Sequence, residues 1–273
     1  MVVDDVGLHD GVTQAALQLV AAGRVQALGC MVGAPAWPDA QAALLALDAK
    51  LVDVGLHLDL LDYPLGPAAG WPRSLAGLAL ASGLRRLDRR SVQREICAQL
   101  DAFEQAMGRP PAFVDGHQHV HQFAQVRGLL LAELGRRYAG ALPWLRSTCA
   151  PAALRWSAGA KPAVIQALGE AGLARAARGQ GFVQNQHLLG VYPFDADRAG
   201  YLQQLARWLA ASIDGDLLMC HPGTGRHDHD PISAARNIEY ELLGGEAFGR
   251  LLAFERVHLQ CLSRTLRESP LRA

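Results

Sequence analysis

Residues 51–60 read LVDVGLHLDL. Val52, Val54, Leu56, Leu58 and Leu60 alternate with Asp53, Gly55, His57 and Asp59, the period-two pattern of a β-strand with one apolar face. The run ends in an imidazole and a carboxylate, so polar chemistry sits where the strand stops. The same arrangement recurs on either side. Upstream, Val2–Val3 is a short strand followed by Asp4 and Asp5, then by a helix that Asp10 caps and Gly23 ends. Val25–Val32 is a second apolar run, followed by a helix that begins through Pro38. Downstream, Ser91 is the expected cap of an amphipathic helix in which Val92, Ile96, Leu100, Phe103 and Met107 recur every three or four residues, with Gly108 as its stop.

Further along, Ala112–His121 reads as a strand and Gln125–Tyr138 as a helix. Leu142–Ser147 is a short strand, Lys161–Leu173 a helix and Asp195–Ser212 a long helix with Leu202, Leu205, Leu209 and Ile213 on one side. Asp216–Cys220 is an apolar strand that ends at His221, and a helix from Ser233 and a terminal strand near Val257–Leu262 complete the chain. Seven or eight strands, each followed by a helix, specify a parallel α/β architecture. No linker, repeat or low-complexity tract divides residues 1–273, which read as one domain. The strand count and the lack of a G-x-G-x-x-G loop favour a (β/α) barrel over an open dinucleotide-binding sheet.

Composition narrows the function. The 273 residues carry 26 Lys+Arg against 26 Asp+Glu, with no basic excess to suit nucleic acid or an anionic membrane. Half of the residues are hydrophobic, which excludes a disordered chain. Cys30, Cys97, Cys149, Cys220 and Cys261 are odd in number and never form C-x-x-C, the pattern of reduced thiols in a cytoplasmic protein. The start MVVDDVG has no leader pattern, and no apolar run approaches the roughly 20 residues that span a bilayer.

In parallel α/β folds ligands bind at the carboxyl ends of the strands. Here Asp4 and Asp5, His57 and Asp59, the run Asp115-Gly116-His117-Gln118-His119-Val120-His121, and His221 all fall at such ends. Taken alone, His57 reads as a core imidazole, and one of the aspartates as the residue that begins a helix. Three histidines in DGHQHVH change that balance. On a strand they would share one face, about 6–7 Å apart per step, and buried imidazoles need a metal, carboxylate or water to satisfy them. Neighbouring side chains alternate faces on a strand, so Asp4 and Asp5 point the same way only if the chain turns there. His227-Asp228-His229-Asp230, among Gly, Thr and Arg, reads as a solvated loop. One Asp with two His suits Zn²⁺, Mn²⁺, Co²⁺ or Mg²⁺ and leaves positions open for water and substrate. With a second carboxylate to take a proton and a histidine to give one, the set points to metal-assisted hydrolysis of a carbonyl-type bond.

Val3-Asp4-Asp5-Val6-Gly7-Leu8, Gly55-Leu56-His57-Leu58, the DGHQHVH run and Met219-Cys220-His221-Pro222, in this order, resemble the YdjC-like carbohydrate deacetylases. Phrases at Gly29–Gly33, Pro143–Thr148 and Leu188–Tyr192 look most like the branch associated with hopanoid biosynthesis. The resemblance implies a distorted parallel (β/α) barrel of about seven strands, often a homodimer. It would remove acetyl from a small N-acetylated sugar or glycoconjugate with a divalent metal, Mg²⁺ or Zn²⁺ foremost. Carried over, Asp5, His57 and His117 are the metal ligands and Asp4 the base that activates water. His221 is the acid or oxyanion partner, His119 and His121 orient ligands or line the sugar site, and Arg146 holds a substrate hydroxyl or carboxylate or forms a surface salt bridge. Hydrolysis of another bond (a phosphoester or cyclic amide) and sugar or metal binding without turnover are the alternatives. Relatives carry a longer first strand with an aromatic residue where Val6 stands, so part of this strand is expected to lie upstream of Met1.

Overall fold

The computed structural model describes residues 1–67, 70–154 and 161–268. Seven strands, β1 (Val2–Val6), β2 (Ala27–Cys30), β3 (Asp53–Leu58), β4 (Phe113–Gly116), β5 (Trp144–Leu145), β6 (Leu188–Leu189) and β7 (Leu217–Cys220), form one sheet in the order β5-β4-β3-β2-β1-β7-β6. Every pairing is parallel, so all the carboxyl ends lie on one rim. The sheet curls into a half-barrel. Gln184 bridges Leu145 in parallel, and Asn185 accepts the Ser147 N–H at 2.7 Å, which continues the curl from β5 towards β6.

Helices connect the strands: α1 (Asp10–Ala21), α2 (Trp37–Leu45), α3 (Leu75–Gly83), α4 (Arg89–Met107), α5 (Ala124–Arg137), α6 (Lys161–Ala167), α7 (Glu170–Gly179), α8 (Arg198–Ala210), α9 (Ser233–Gly244), α10 (Glu246–Glu255) and α11 (Leu262–Glu268). The α4 stripe of Val92, Ile96, Leu100, Phe103 and Met107 is buried throughout. Each such side chain contributes roughly 1.5–3 kcal/mol by leaving water. Gly108 ends this helix with φ 62, a left-handed turn that glycine adopts without steric cost. Among the described residues no helix is long and apolar enough to cross a membrane.

The fold departs from the sequence expectations in local ways. Asp88, not Ser91, caps α4: its carboxylate accepts the Ser91 N–H, and the helix begins three residues early. His9 rather than Asp10 caps α1. The helix expected over Lys161–Leu173 breaks into α6 and α7 at Gly169, whose φ of 146 no α-helix contains. Ile213 lies beyond α8 and is exposed. The terminal strand near Val257–Leu262 does not form. Val257 and Leu259 do alternate inward with exposed His258 and Gln260, but the backbone pairs with no strand among the described residues, and α11 begins at Leu262. A two-residue strand, β6, lies where the sequence carries no period to reveal it.

The largest departure is Ala112–His121. The strand stops at Gly116, and His117–Gln122 fold back in a tight 3₁₀ turn with Gln118 and His119 at positive φ. A side chain at Gly116 would place its Cβ 2.8 Å from the His121 backbone nitrogen, so only glycine permits the fold-back. The three histidines therefore do not share a strand face; the turn sends them in three directions.

Candidate active site

At the end of β1 the register with β2 slips: Val3 pairs Leu28, yet Val6 pairs Cys30, so β1 carries one extra residue. Asp5 sits in that bulge with φ 65, an uncommon conformation for a residue with a Cβ. The bulge removes the strict alternation of faces. Asp4 and Asp5 consequently both aim at the rim, and both are 2% exposed.

His57 comes from β3, and its Nε2 lies 3.5 Å from Asp5 Oδ1 and 4.0 Å from Asp4 Oδ2. Its Nδ1 lies 2.7 Å from Asp115 Oδ1 on β4. A proton on Nδ1 donated to that carboxylate leaves the Nε2 lone pair facing the aspartates. The turn after β4 places His117 Nδ1 2.9 Å from Asp5 Oδ1 and Nε2 2.9 Å from Asp62 Oδ2. Asp59, also singled out at the end of β3, serves the loop instead. Its carboxylate accepts the backbone N–H groups of Leu61, Asp62 and Tyr63, which fixes the segment that carries Asp62.

Asp5, His57 and His117 each offer a ligand atom within 4.8 Å of the others, and Asp4, His57 and Asp115 form an overlapping set. The first set fits a divalent cation by its chemistry: one carboxylate oxygen, two imidazole nitrogens, and carboxylate partners that orient both rings.

Two arginines hold the aspartates. Arg146, at the end of β5 and fully buried, donates from both terminal nitrogens to the two oxygens of Asp4, each at 2.6 Å, and also pairs with Asp115. Arg236, on α9, donates to Asp5 Oδ2 at 2.7 Å and to Asp230 Oδ2 at 2.6 Å. Burial alone would raise both aspartates, but Arg146 with His57 and His221 around Asp4, and Arg236 with His117 and His57 around Asp5, together outweigh it and hold both carboxyls below the usual range. His57 moves the other way. Burial lowers its pKa, yet the carboxylates of Asp115 and Asp4 prevail and raise it to about 9. The negative field that attracts a proton to this ring also attracts a cation.

His221, after β7, has its Nε2 3.8 Å from Asp4 Oδ2 and its ring edge-on to Phe194. Burial outweighs the nearby aspartates and lowers its pKa to about 4, so the ring is neutral near pH 7. Its backbone N–H donates to Glu239 of α9 at 2.6 Å, and Glu239 also accepts the Tyr192 hydroxyl. His121 is completely buried, with Nε2 3.0 Å from the Arg146 carbonyl.

A cavity of about 1180 Å³ opens over the rim. Asp4, Asp5, His57, His117, His119 and His221 all line it, whereas His121 and Arg146 stand behind it. Arg146 thus spends its guanidinium on Asp4 and Asp115 in a buried ion pair, neither the surface salt bridge nor the substrate contact expected of it. Sequence reasoning passed over Arg236, Glu239 and Asp62, and placed Asp230 in a solvated loop. Arg236 and Glu239 did leave a signal, a charged pair three residues apart within the buried stripe Ala235, Arg236, Glu239, Leu242 and Leu243. The 227–230 loop is only partly the solvated segment expected. Asp228 and His229 are exposed, but His227 stacks on His9 at 3.6 Å and the Asp230 carboxylate is 6% exposed.

Residues 1–253 match the model of a family described as YdjC-like protein. A carbohydrate deacetylase of Geobacillus stearothermophilus is 34% identical over 143 residues, covering 50% of this chain and 54% of the relative. A human carbohydrate deacetylase is 37% identical over 83 residues, covering 26% of this chain and 25% of the relative. The matched stretches thus span about half of the bacterial relative and a quarter of the human one. A crystal structure from Enterococcus faecalis, provisionally described as a cellobiose-phosphate cleavage protein, superimposes with a TM-score of 0.71 and 96% coverage of both chains. At 19% identity that likeness establishes a shared fold.

Proposed function

Because the chain belongs to the YdjC-like family, we propose that it is a metal-dependent hydrolase that removes the acetyl group from an N-acetylated sugar or sugar conjugate. The observation that carries this reading is the convergence of Asp5, His57 and His117 with Asp4 and His221 on one cavity. In it Asp5, His57 and His117 hold the ion, with Mg²⁺ or Zn²⁺ foremost and Mn²⁺ or Co²⁺ compatible with the same donors. The chemistry such an ion supplies when bound is Lewis-acid polarisation of a carbonyl oxygen and acidification of water.

The remaining steps belong to the chain. Asp4 is ionised and can accept a proton. Arg146 occupies one lone pair on each of its oxygens, and Oδ2 still faces the cavity side, towards His57 and His221. As the water oxygen bonds to the acetamide carbon, its proton passes to Asp4. His221, neutral in the resting site, donates its ring N–H to the oxygen that gains charge. The C–N bond then breaks, the amine nitrogen takes up the proton, and acetate and the free amino sugar leave. His119 lines the cavity beside this centre, and burial holds it neutral. An aliphatic wall of Leu75, Val164, Ile165 and Leu168 supports the inclusion of conjugates with an apolar aglycone.

The test is acetate release from N-acetylglucosamine oligomers and N-acetylglucosaminyl lipids. Activity is expected to vanish with a chelator, to return with added divalent ion and to be lost in His117→Ala. Phosphate release from phosphosugars without acetate release would replace this reading with hydrolysis of a phosphoester.

A further inference from the structure

Among the described residues Arg236 is the one guanidinium that touches the proposed ion-binding set, and every hydrogen-bonding nitrogen on it has a partner. Its side chain is 4% exposed. Nη2 donates to Asp5 Oδ2 at 2.7 Å, Nε to Asp230 Oδ2 at 2.6 Å, and Nη1 reaches the His221 carbonyl at 3.4 Å. Asp230 is itself held, with His9 Nε2 3.2 Å from the same Oδ2 and the Ile232 N–H donating to its other oxygen at 3.1 Å. The guanidinium is therefore fixed from three sides and cannot follow a moving carboxylate. Asp5, by contrast, sits in a bulge at positive φ, and apart from Arg236 its carboxylate meets, among the described residues, only the imidazoles of the ligand set.

We propose that Arg236 is a positioning residue that makes Asp5 a one-oxygen ligand: by occupying Oδ2 it turns Oδ1 alone towards His57 and His117. The inference rests on the reading of Asp5, His57 and His117 as a divalent-cation site. Two effects of Arg236 on a bound cation oppose each other. As a nearby positive charge it repels the cation, so its loss would tighten binding. As an anchor it fixes the ligand oxygen, so its loss would loosen binding, and partners of this kind are typically worth about 10–100-fold in metal affinity. The bidentate hold of Arg146 on Asp4 shows the contrast, since it engages both oxygens and singles out neither.

The experiment titrates metal-stripped protein with Co²⁺ and reads the visible absorption band, whose intensity falls as the coordination number rises. Wild type, Asp5→Asn, Arg236→Gln, Arg236→Lys and Asp230→Asn are compared. Arg236→Gln is expected to bind Co²⁺ at least tenfold more weakly and with a less intense band, because the freed Oδ2 joins the ion. Arg236→Lys is expected to recover part of the affinity. Asp230→Asn, which leaves Asp5 and Arg236 in place but loosens the anchor, should shift both readouts the same way by less, and it carries the test if Arg236→Gln does not fold. Affinity equal to or tighter than wild type in Arg236→Gln, with an unchanged band, would overturn the proposal. Wild-type Co²⁺ binding in Asp5→Asn would instead remove the cation from Asp5 and defeat the site assignment before the role of Arg236 arises.

Discussion

Asp4 and Asp5 are neighbours in sequence, yet they live on opposite sides of the site. Asp4 belongs to a sealed side: Arg146 grips both its oxygens, Asp115 joins the same guanidinium, and His121 closes over the Arg146 carbonyl, each of these three partners with no exposure at all. Asp5 belongs to an open side, where His117 is 14% exposed and its second partner, Asp62, is 49% exposed. The difference teaches that two identical side chains, each 2% exposed, acquire different chemistry from how many of their oxygens an arginine takes and from how exposed their partners are. Substitutions of the residues packed behind Asp4 should cost stability, whereas those of the residues around Asp5 should cost function with the fold intact.

The largest stability loss is expected from Arg146→Met, which leaves the buried carboxylates of Asp4 and Asp115 without their shared guanidinium. Breaking a buried pair in this way costs about 3–5 kcal/mol, read as a lower midpoint in urea unfolding. A loss no greater than that of Asp62→Asn would erase the distinction between the two sides.

His121 gives the sealed side a pH signature. Burial, aided by the Arg146 charge and opposed by Asp115, lowers its pKa to about 4. Below pH 6.5 the unfolded chain binds a proton that the folded chain refuses, so stability is complete above 6.5 and is lost as pH falls from 6.5 to 4. Integrated over that window the loss is about 3 kcal/mol. His121→Gln keeps a donor for the Arg146 carbonyl and should flatten the acid limb of stability against pH; an unchanged limb would show that His121 titrates normally.

Gly116→Ala is expected to cost about 1–3 kcal/mol, the usual range for overpacking, because the added Cβ meets the His121 backbone at 2.8 Å. It should also weaken cation binding, since His117 leaves the same turn. The smallest stability effect is expected for Asp62→Asn, within about 1 kcal/mol, because a half-exposed partner is screened by solvent. Calorimetric unfolding of this pair of variants tests whether exposure alone orders them.

The barrel was legible because it rests on periodicity. Alternating runs such as 51–60 and the α4 stripe report burial directly, and strand ends follow from them. The rim residues were legible for the same reason. What escaped depends on backbone conformation that no period encodes: the extra residue in β1 that turns Asp4 and Asp5 together, and the fold-back at Gly116 that separates His117, His119 and His121. Arg236 and Glu239 escaped because their partners lie more than 200 residues away for Asp5, or at a backbone N–H for His221, and neither contact leaves a local motif.

The division of labour between the two aspartates is tested most directly by calorimetric titration of a divalent ion into metal-stripped Asp4→Asn and Asp5→Asn, with acetate release followed on the same samples. Asp4→Asn is expected to bind the ion near wild-type affinity while turnover falls about 10²–10⁴-fold, and Asp5→Asn to lose the ion. Loss of the ion in Asp4→Asn with retention in Asp5→Asn would contradict the account and exchange the two roles.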